Sequence, residues 1–195
     1  LVGSEMCIRD RIWVNDLYEP LVNFWQQLQD EADEITTRLK AFKNAYPTPD
    51  RARELFIESK ELVNDARASL VTRAVSFYIV NKCSFSGLTE SSSFSKQASD
   101  SNFSLRGIEK LPAYSELIQD WKITNLSYEG MFTDDQDVFT YLDPPYEIGT
   151  NLYGKKGDMH KNFDHDVFAR MCDGHTNHQM ICLLYTSDAA DEGLG

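Results

Sequence analysis

The sequence predicts an α/β protein, and three observations carry that prediction. Two short apolar runs, Ile12–Asn15 and Val138–Leu142, read as buried strands, and each is followed at once by a carboxylate, Asp16 and Asp143. Between them, apolar residues recur at helical spacing over several segments. From Val138 onward, strand, helix and strand alternate, as in a sheet covered by helices.

Taken in order, the run at Ile12 leads into a long helical stretch through Leu21, Phe24, Trp25, Leu28, Ile35, Leu39 and Phe42, with Pro20 in its first turn. YPTPD (46–50) ends it, and Asp50 suits the N-cap of a second helix through Leu55, Phe56 and Leu62. A third helix carries Leu70, Ala74, Phe77, Tyr78 and Asn81 and runs out at Ser86-Gly87. The Ser-rich stretch GLTESSSFSKQASDSNFSLRG (87–107), with Phe85 just before it and Phe94 and Phe103 spaced along it, is expected to bury little and to form a surface excursion. Leu111–Trp121 reads as a further helix with Pro112 in its first turn, and Lys122–Asn125 as a short strand. Val138–Leu142 reads as a buried strand at the centre of a sheet shared with the Ile12 run. Beyond a basic, Gly-containing loop, Asp164 caps a helix through Val167, Phe168 and Met171 that stops near Gly174, and Gln179-Met180-Ile181 opens the next strand.

At 195 residues and 42% hydrophobic content, the chain is long enough for one compact domain with a small inserted subdomain. No apolar run approaches the ~20 residues that span a bilayer, so a soluble, intracellular protein is expected. Cys83 and Cys172 fall on different predicted helices, which is no disulfide framework. The histidines, His160, His165, His175 and His178, show no metal-ligand spacing, and no metal is expected. The net charge of −12 argues mildly against nucleic acid, but phosphate contacts depend on local positive charge rather than on the sum. Asp30, Glu31, Asp33 and Glu34 form one acidic cluster on a solvated helix face.

The two ends stand apart. LVGSEMCIRDR (1–11) and CLLYTSDAADE (182–192) resemble the translated ends of a transposon adapter used in preparing sequencing libraries. On that reading residues 1–11 and 182–195 are not native, and the native segment runs from about Ile12 to Ile181.

The chemistry concentrates in Asp143-Pro144-Pro145-Tyr146, a string expected by chance in roughly one chain in a thousand of this length. It sits at the carboxyl end of a predicted strand, where open parallel sheets bind ligands. An exocyclic ring amine is a poor nucleophile, because its lone pair is delocalised until acceptors hold its hydrogens in a tetrahedral arrangement. Asp143 supplies one acceptor, and the carbonyl of Pro144 supplies another, aimed by two residues of fixed φ. Tyr146 offers a face on which a base can stack. The blander reading is that the prolines only end a strand.

With those residues in view, the chain resembles the Dam-like family of DNA adenine methyltransferases over nearly all of residues 12–181. VNDLYEPLVNFW (14–25) resembles the family's second strand and following helix; SFYIVNKCSFSGL (76–88) resembles the start of its target-recognition insert; YLDPPYEIGTNLYG (141–154) is similar to its catalytic loop. The resemblance implies a Rossmann-like methyltransferase sheet that lacks its first strand here, with residues 12–46 and 118–181 forming the methyltransferase domain and a helical, Ser-rich target-recognition insert at 47–117. It implies methyl transfer from S-adenosylmethionine to N6 of an adenine flipped out of double-stranded DNA by a monomeric, cytoplasmic enzyme of bacterial or phage origin. Asp143, Pro144, Pro145 and Tyr146 are then catalytic, Asp16 binds the cofactor's ribose, and Asp143 lies near the cofactor as well. The family usually has Asn two residues after the acidic residue, where this chain has Tyr18. Its Gly-rich cofactor loop is expected upstream of Ile12, so residues 12–181 alone are expected to be inactive.

On the residues alone, Asp16 suits a helix N-cap equally well. Lys82, Lys96, Arg106 and Lys110 in the insert, and Lys155, Lys156, His160 and Lys161 after the catalytic loop, give local positive charge for DNA, although solvated loops carry such charges too. Two other functions compete: methylation of a cytosine amine by the same acceptor chemistry, and a non-catalytic DNA-binding remnant.

Overall fold

The computed structural model describes residues 11–85, 91–145 and 159–182. The chain divides into two compact units, Leu1–Ser127 and Tyr128–Gly195.

In the first unit, strand β1 (Trp13–Asn15) pairs in parallel with β2 (Lys122–Thr124), with Trp13 opposite Lys122 and Asn15 opposite Thr124. Parallel neighbours need a crossover, and here it consists of helices α1 (Glu19–Asp30), α2 (Ala32–Ala45), α3 (Pro49–Leu62), α4 (Leu70–Cys83), α5 (Lys96–Ser101), α6 (Leu105–Ile108) and α7 (Leu111–Ile118). The expected long first helix is two helices, broken at Glu31, whose ψ of 32° leaves the helical region. Four clustered carboxylates repel one another there, and the Gln29 carbonyl, at the end of α1, accepts from Gln119 Nε2 at 2.6 Å. The cap of α3 is Thr48 rather than the expected Asp50. Pro49 fixes the first helical position and puts Thr48 in extended backbone, where its hydroxyl accepts from the Arg51 N–H at 3.4 Å.

Helix α4 is the axis of the unit. Residues Ala74–Val80 are all buried, so this stretch of the helix is enclosed on every side, and Ser76 is its one polar member. Helices α1, α2, α3 and α5 pack on it. Leu28, Ile35, Leu39, Val63, Ile79, Phe103 and Ile108 fill the core, each stabilising the fold by ~1.5–3 kcal/mol relative to exposure.

The Ser-rich stretch departs from expectation. Its serines serve as caps: Ser95 Oγ accepts from the Ala98 N–H at 3.1 Å and starts α5, and Ser104 Oγ accepts from the Gly107 N–H at 3.2 Å and starts α6. Capped helices turn Phe103 and Ile108 fully inward, so the stretch adds to the core instead of running over it.

In the second unit, β3 (Phe139–Leu142) pairs in parallel with β4 (His178–Ile181), and α8 (His165–Gly174) connects toward β4. Asp164 caps α8 as the sequence indicates, accepting from the Val167 N–H at 2.8 Å. Phe168 is buried at the centre of an aromatic cluster, its ring 5.4–5.5 Å from Phe163 and Tyr128 and 6.3 Å from Phe132. The single central sheet expected from the sequence is not what the described strands form. They make two separate parallel pairs, β1–β2 and β3–β4. Among the described residues β3 has one neighbouring strand; Leu142 is buried, whereas Phe139 and Tyr141, pointing the other way, are 62% and 58% exposed. The fold is therefore mixed helix and strand with small parallel sheets.

Candidate functional site

Both carboxylates singled out in the sequence stand at the carboxyl ends of parallel strands, the side on which such sheets bind ligands. Asp16 follows β1. Its N–H continues the ladder to the Thr124 carbonyl at 3.2 Å, and its own Oδ1 accepts from the Tyr18 N–H at 2.7 Å. It is therefore not the cap of α1, which begins behind Tyr18 with no side-chain cap. The bond to Tyr18 fixes the direction of an exposed carboxylate at the strand end. Tyr18 itself turns inward, its ring 6.1 Å from that of Phe77, so this residue anchors the turn to α4.

Two asparagines build the rest of this turn. Asn15 meets the backbone of Leu126 with both ends of its amide, donating to the carbonyl at 2.8 Å and accepting from the N–H at 2.9 Å. Asn125 donates to the carbonyls of Asp16 and Leu17, each at 2.9 Å.

Asp143 follows β3. The last ladder bond before it runs from the Cys182 N–H to the Leu142 carbonyl at 2.8 Å. Asp143 is exposed, Pro144 is buried and Pro145 half-buried, so the loop is seated through its first proline while the carboxylate faces outward. Nearby, the Tyr141 hydroxyl is held above its ordinary pKa, first by its bond to the Cys182 thiol and, less strongly, by Asp143. Tyr146, Lys155 and Lys156 lie outside the described residues.

Of the remaining basic candidates, Lys82 is half-buried with its ammonium 5.6 Å from the centre of the Tyr78 ring. Lys96 opens α5, Arg106 lies in α6, and Lys161 is in the short helical turn at Met159–Asn162; all three are exposed. Among the described residues no group of His, Cys, Asp and Glu is placed to hold a metal ion, and no helix is long and apolar enough to cross a membrane.

The model of the D12 class N6 adenine-specific DNA methyltransferases matches residues 5–192, and the chain belongs to that family. It is accordingly an adenine-specific DNA methyltransferase that acts on N6 of adenine in DNA with S-adenosylmethionine as methyl donor. Comparison with curated proteins gives no match. The chemistry of the donor set fits this cofactor at Asp16, since an ionised carboxylate accepts at about four positions and suits a ribose diol.

Reading the sequence did not find Asn15 and Asn125, which fasten the turn behind β1, or Asn177, which holds the start of β3. Single asparagines in short polar segments carry no periodic signal, and only the pairing of distant strands reveals what they hold.

Proposed function

We propose that Asp143, Pro144, Pro145 and Tyr146 form the loop that activates the adenine amine, and that Asp16 receives the ribose hydroxyls of S-adenosylmethionine. The observation that carries this reading is the seating of the loop: an exposed Asp143 and a buried Pro144 directly behind the last bond of a parallel strand. Asp143 accepts one amine hydrogen and the Pro144 carbonyl the other, which returns the nitrogen lone pair from the ring and orients it. The rigid prolines leave little motion to be lost on approach to the transition state. Tyr146 stacks on a base flipped out of the duplex. When bound, S-adenosylmethionine supplies a methyl group on a positively charged sulfur. The amine proton leaves after transfer, and the Asp143 carboxylate serves as its acceptor.

The helical segment 47–117 serves as the target-recognition part, with Lys82, Lys96 and Arg106 toward DNA, and Lys155, Lys156 and Lys161 supporting the backbone beyond the loop. Resemblance in that segment, together with exposed basic residues on α5 and α6, supports the assignment. The same resemblance supports a Rossmann-like sheet and a monomeric enzyme of bacterial or phage origin.

Single-turnover methylation by the completed enzyme, with saturating DNA and cofactor, tests the loop. Asp143→Ala is expected to lose ~10²–10³ in rate, as for other preorganised hydrogen-bonding groups, with DNA binding little changed. A near-normal rate would remove Asp143 from the chemistry.

A further inference from the structure

We infer that Asn125 is a positioning residue for cofactor binding, holding the turn that aims the Asp16 carboxylate. The inference rests on the assignment of Asp16 to the ribose. The β1–β2 ladder ends at the bond from the Asp16 N–H to the Thr124 carbonyl, and beyond it the two chains part. Backbone directed away from a ladder has nothing of its own to fix its course. Here the asparagine side chains take over the role of backbone: Asn15 reaches forward to both polar groups of Leu126, and Asn125 reaches back to two successive carbonyls, those of Asp16 and Leu17. The two clasps cross the same gap in opposite directions. Thr124 braces the first clasp, its hydroxyl donating to Asn15 Oδ1 at 2.8 Å and accepting from Trp13 Nε1 at 2.8 Å.

The consequence for Asp16 follows from what an amide can do. With two N–H bonds, the Asn125 amide turns the peptide groups on both sides of Leu17 to face it, and this sets where the Tyr18 N–H points. That N–H is the donor that holds Asp16 Oδ1 at 2.7 Å. Asn125 thus acts on the carboxylate through the backbone, without touching it. A shorter side chain leaves both carbonyls to water and frees the Leu17 peptide to rotate. The Asp16 carboxylate then samples directions that no longer match a pair of adjacent hydroxyls. Asn125 lies at the exposed end of the turn, away from the α4 core, so the loss falls on orientation more than on folding.

Calorimetric titration of the completed enzyme with S-adenosylmethionine, together with amide hydrogen exchange at Tyr18, tests this. Asn125→Ala is expected to weaken binding about tenfold, because the Asp16 carboxylate is then in its binding direction only a fraction of the time, and to speed exchange at Tyr18. The melting temperature should barely move. Asn125→Gln keeps the amide donors and should recover part of the affinity. If Asp16→Ala abolishes binding while Asn125→Ala binds as wild type, the positioning role of Asn125 is wrong. If Asp16→Ala itself binds as wild type, the ribose assignment is wrong, and Tyr18 exchange in Asn125→Ala still shows whether the clasp holds the turn.

Discussion

Asn177 donates from Nδ2 to Thr140 Oγ1 at 2.7 Å, and the same nitrogen lies 3.3 Å from the Val138 carbonyl. The side chain is buried at the foot of β4 and grips the start of β3 at two points, the backbone just before the strand at Val138 and the Thr140 side chain within it. A strand with a well-covered face has its register set by burial, because a slip of one residue turns every side chain over. In β3 only Leu142 is buried, so this polar grip adds to the backbone ladder in holding the strand that leads to Asp143 in register.

Asn177→Ala is therefore expected to cost ~1–3 kcal/mol, since it leaves acceptors without their donor, and to slow methyl transfer more than it weakens substrate binding. A double-mutant cycle with Thr140→Val checks the pairing: the two losses should be strongly non-additive. Additive losses would mean that the bond does not couple the strands.

How much of this was legible beforehand depends on the kind of signal. Helices α3, α4, α7 and α8 stand where periodic Leu, Phe and Ile residues put them, and Asp164 caps α8 as its position suggests. The DPPY motif was legible because it is rare, and its strand-end position because an apolar run precedes it. Two things were hidden. Serine enrichment at 91–104 reads the same whether the residues cap helices or fill a loop; only burial of Phe103 and Ile108 decides. Strand partners also lie more than a hundred residues apart in β1–β2, and local pattern carries no information on which strands share a sheet.

Phe103→Ala separates those two readings of the Ser-rich stretch. Phe103 is fully buried, 6.4 Å from Tyr78 and beneath the Lys43 ammonium at 5.2 Å. Truncation should cost ~3–5 kcal/mol in urea unfolding, whereas Ser104→Ala, which removes one cap, should cost ~1 kcal/mol. A loss near zero for Phe103→Ala would return the stretch to the surface.

Alkaline pH should loosen the first unit through α4. Burial pushes the Cys83 thiol from about 9 up to about 12 and the Tyr78 hydroxyl from about 10 to about 12. Between those values the unfolded chain has released protons that the folded chain still holds, so stability falls as pH rises from about 9 toward 12 and is unaffected by these groups below 9. Urea melts on either side of pH 9 measure the slope, and Cys83→Ala should reduce it. Thiol reagents should find Cys83 inert until the chain unfolds.

The second unit should fail on its own when its aromatic centre is removed. Phe168 is the ring that Tyr128, Phe132 and Phe163 share, and it comes from the helix leading into β4. A large ring replaced by a methyl group leaves a cavity that three other rings cannot fill, at ~3–5 kcal/mol. The first unit has a separate core around α4, so the damage should stay local. Hydrogen exchange makes this visible: in Phe168→Ala the amides of β3 and β4, including that of Cys182, should exchange much faster, while those of α4 keep their protection. Methyl transfer should fall with them, because the Leu142 carbonyl that anchors the strand just before Asp143 loses its partner. Phe168→Leu, which refills most of the volume, should restore part of both. Equal loss of protection in α4 would show instead that the two units unfold as one.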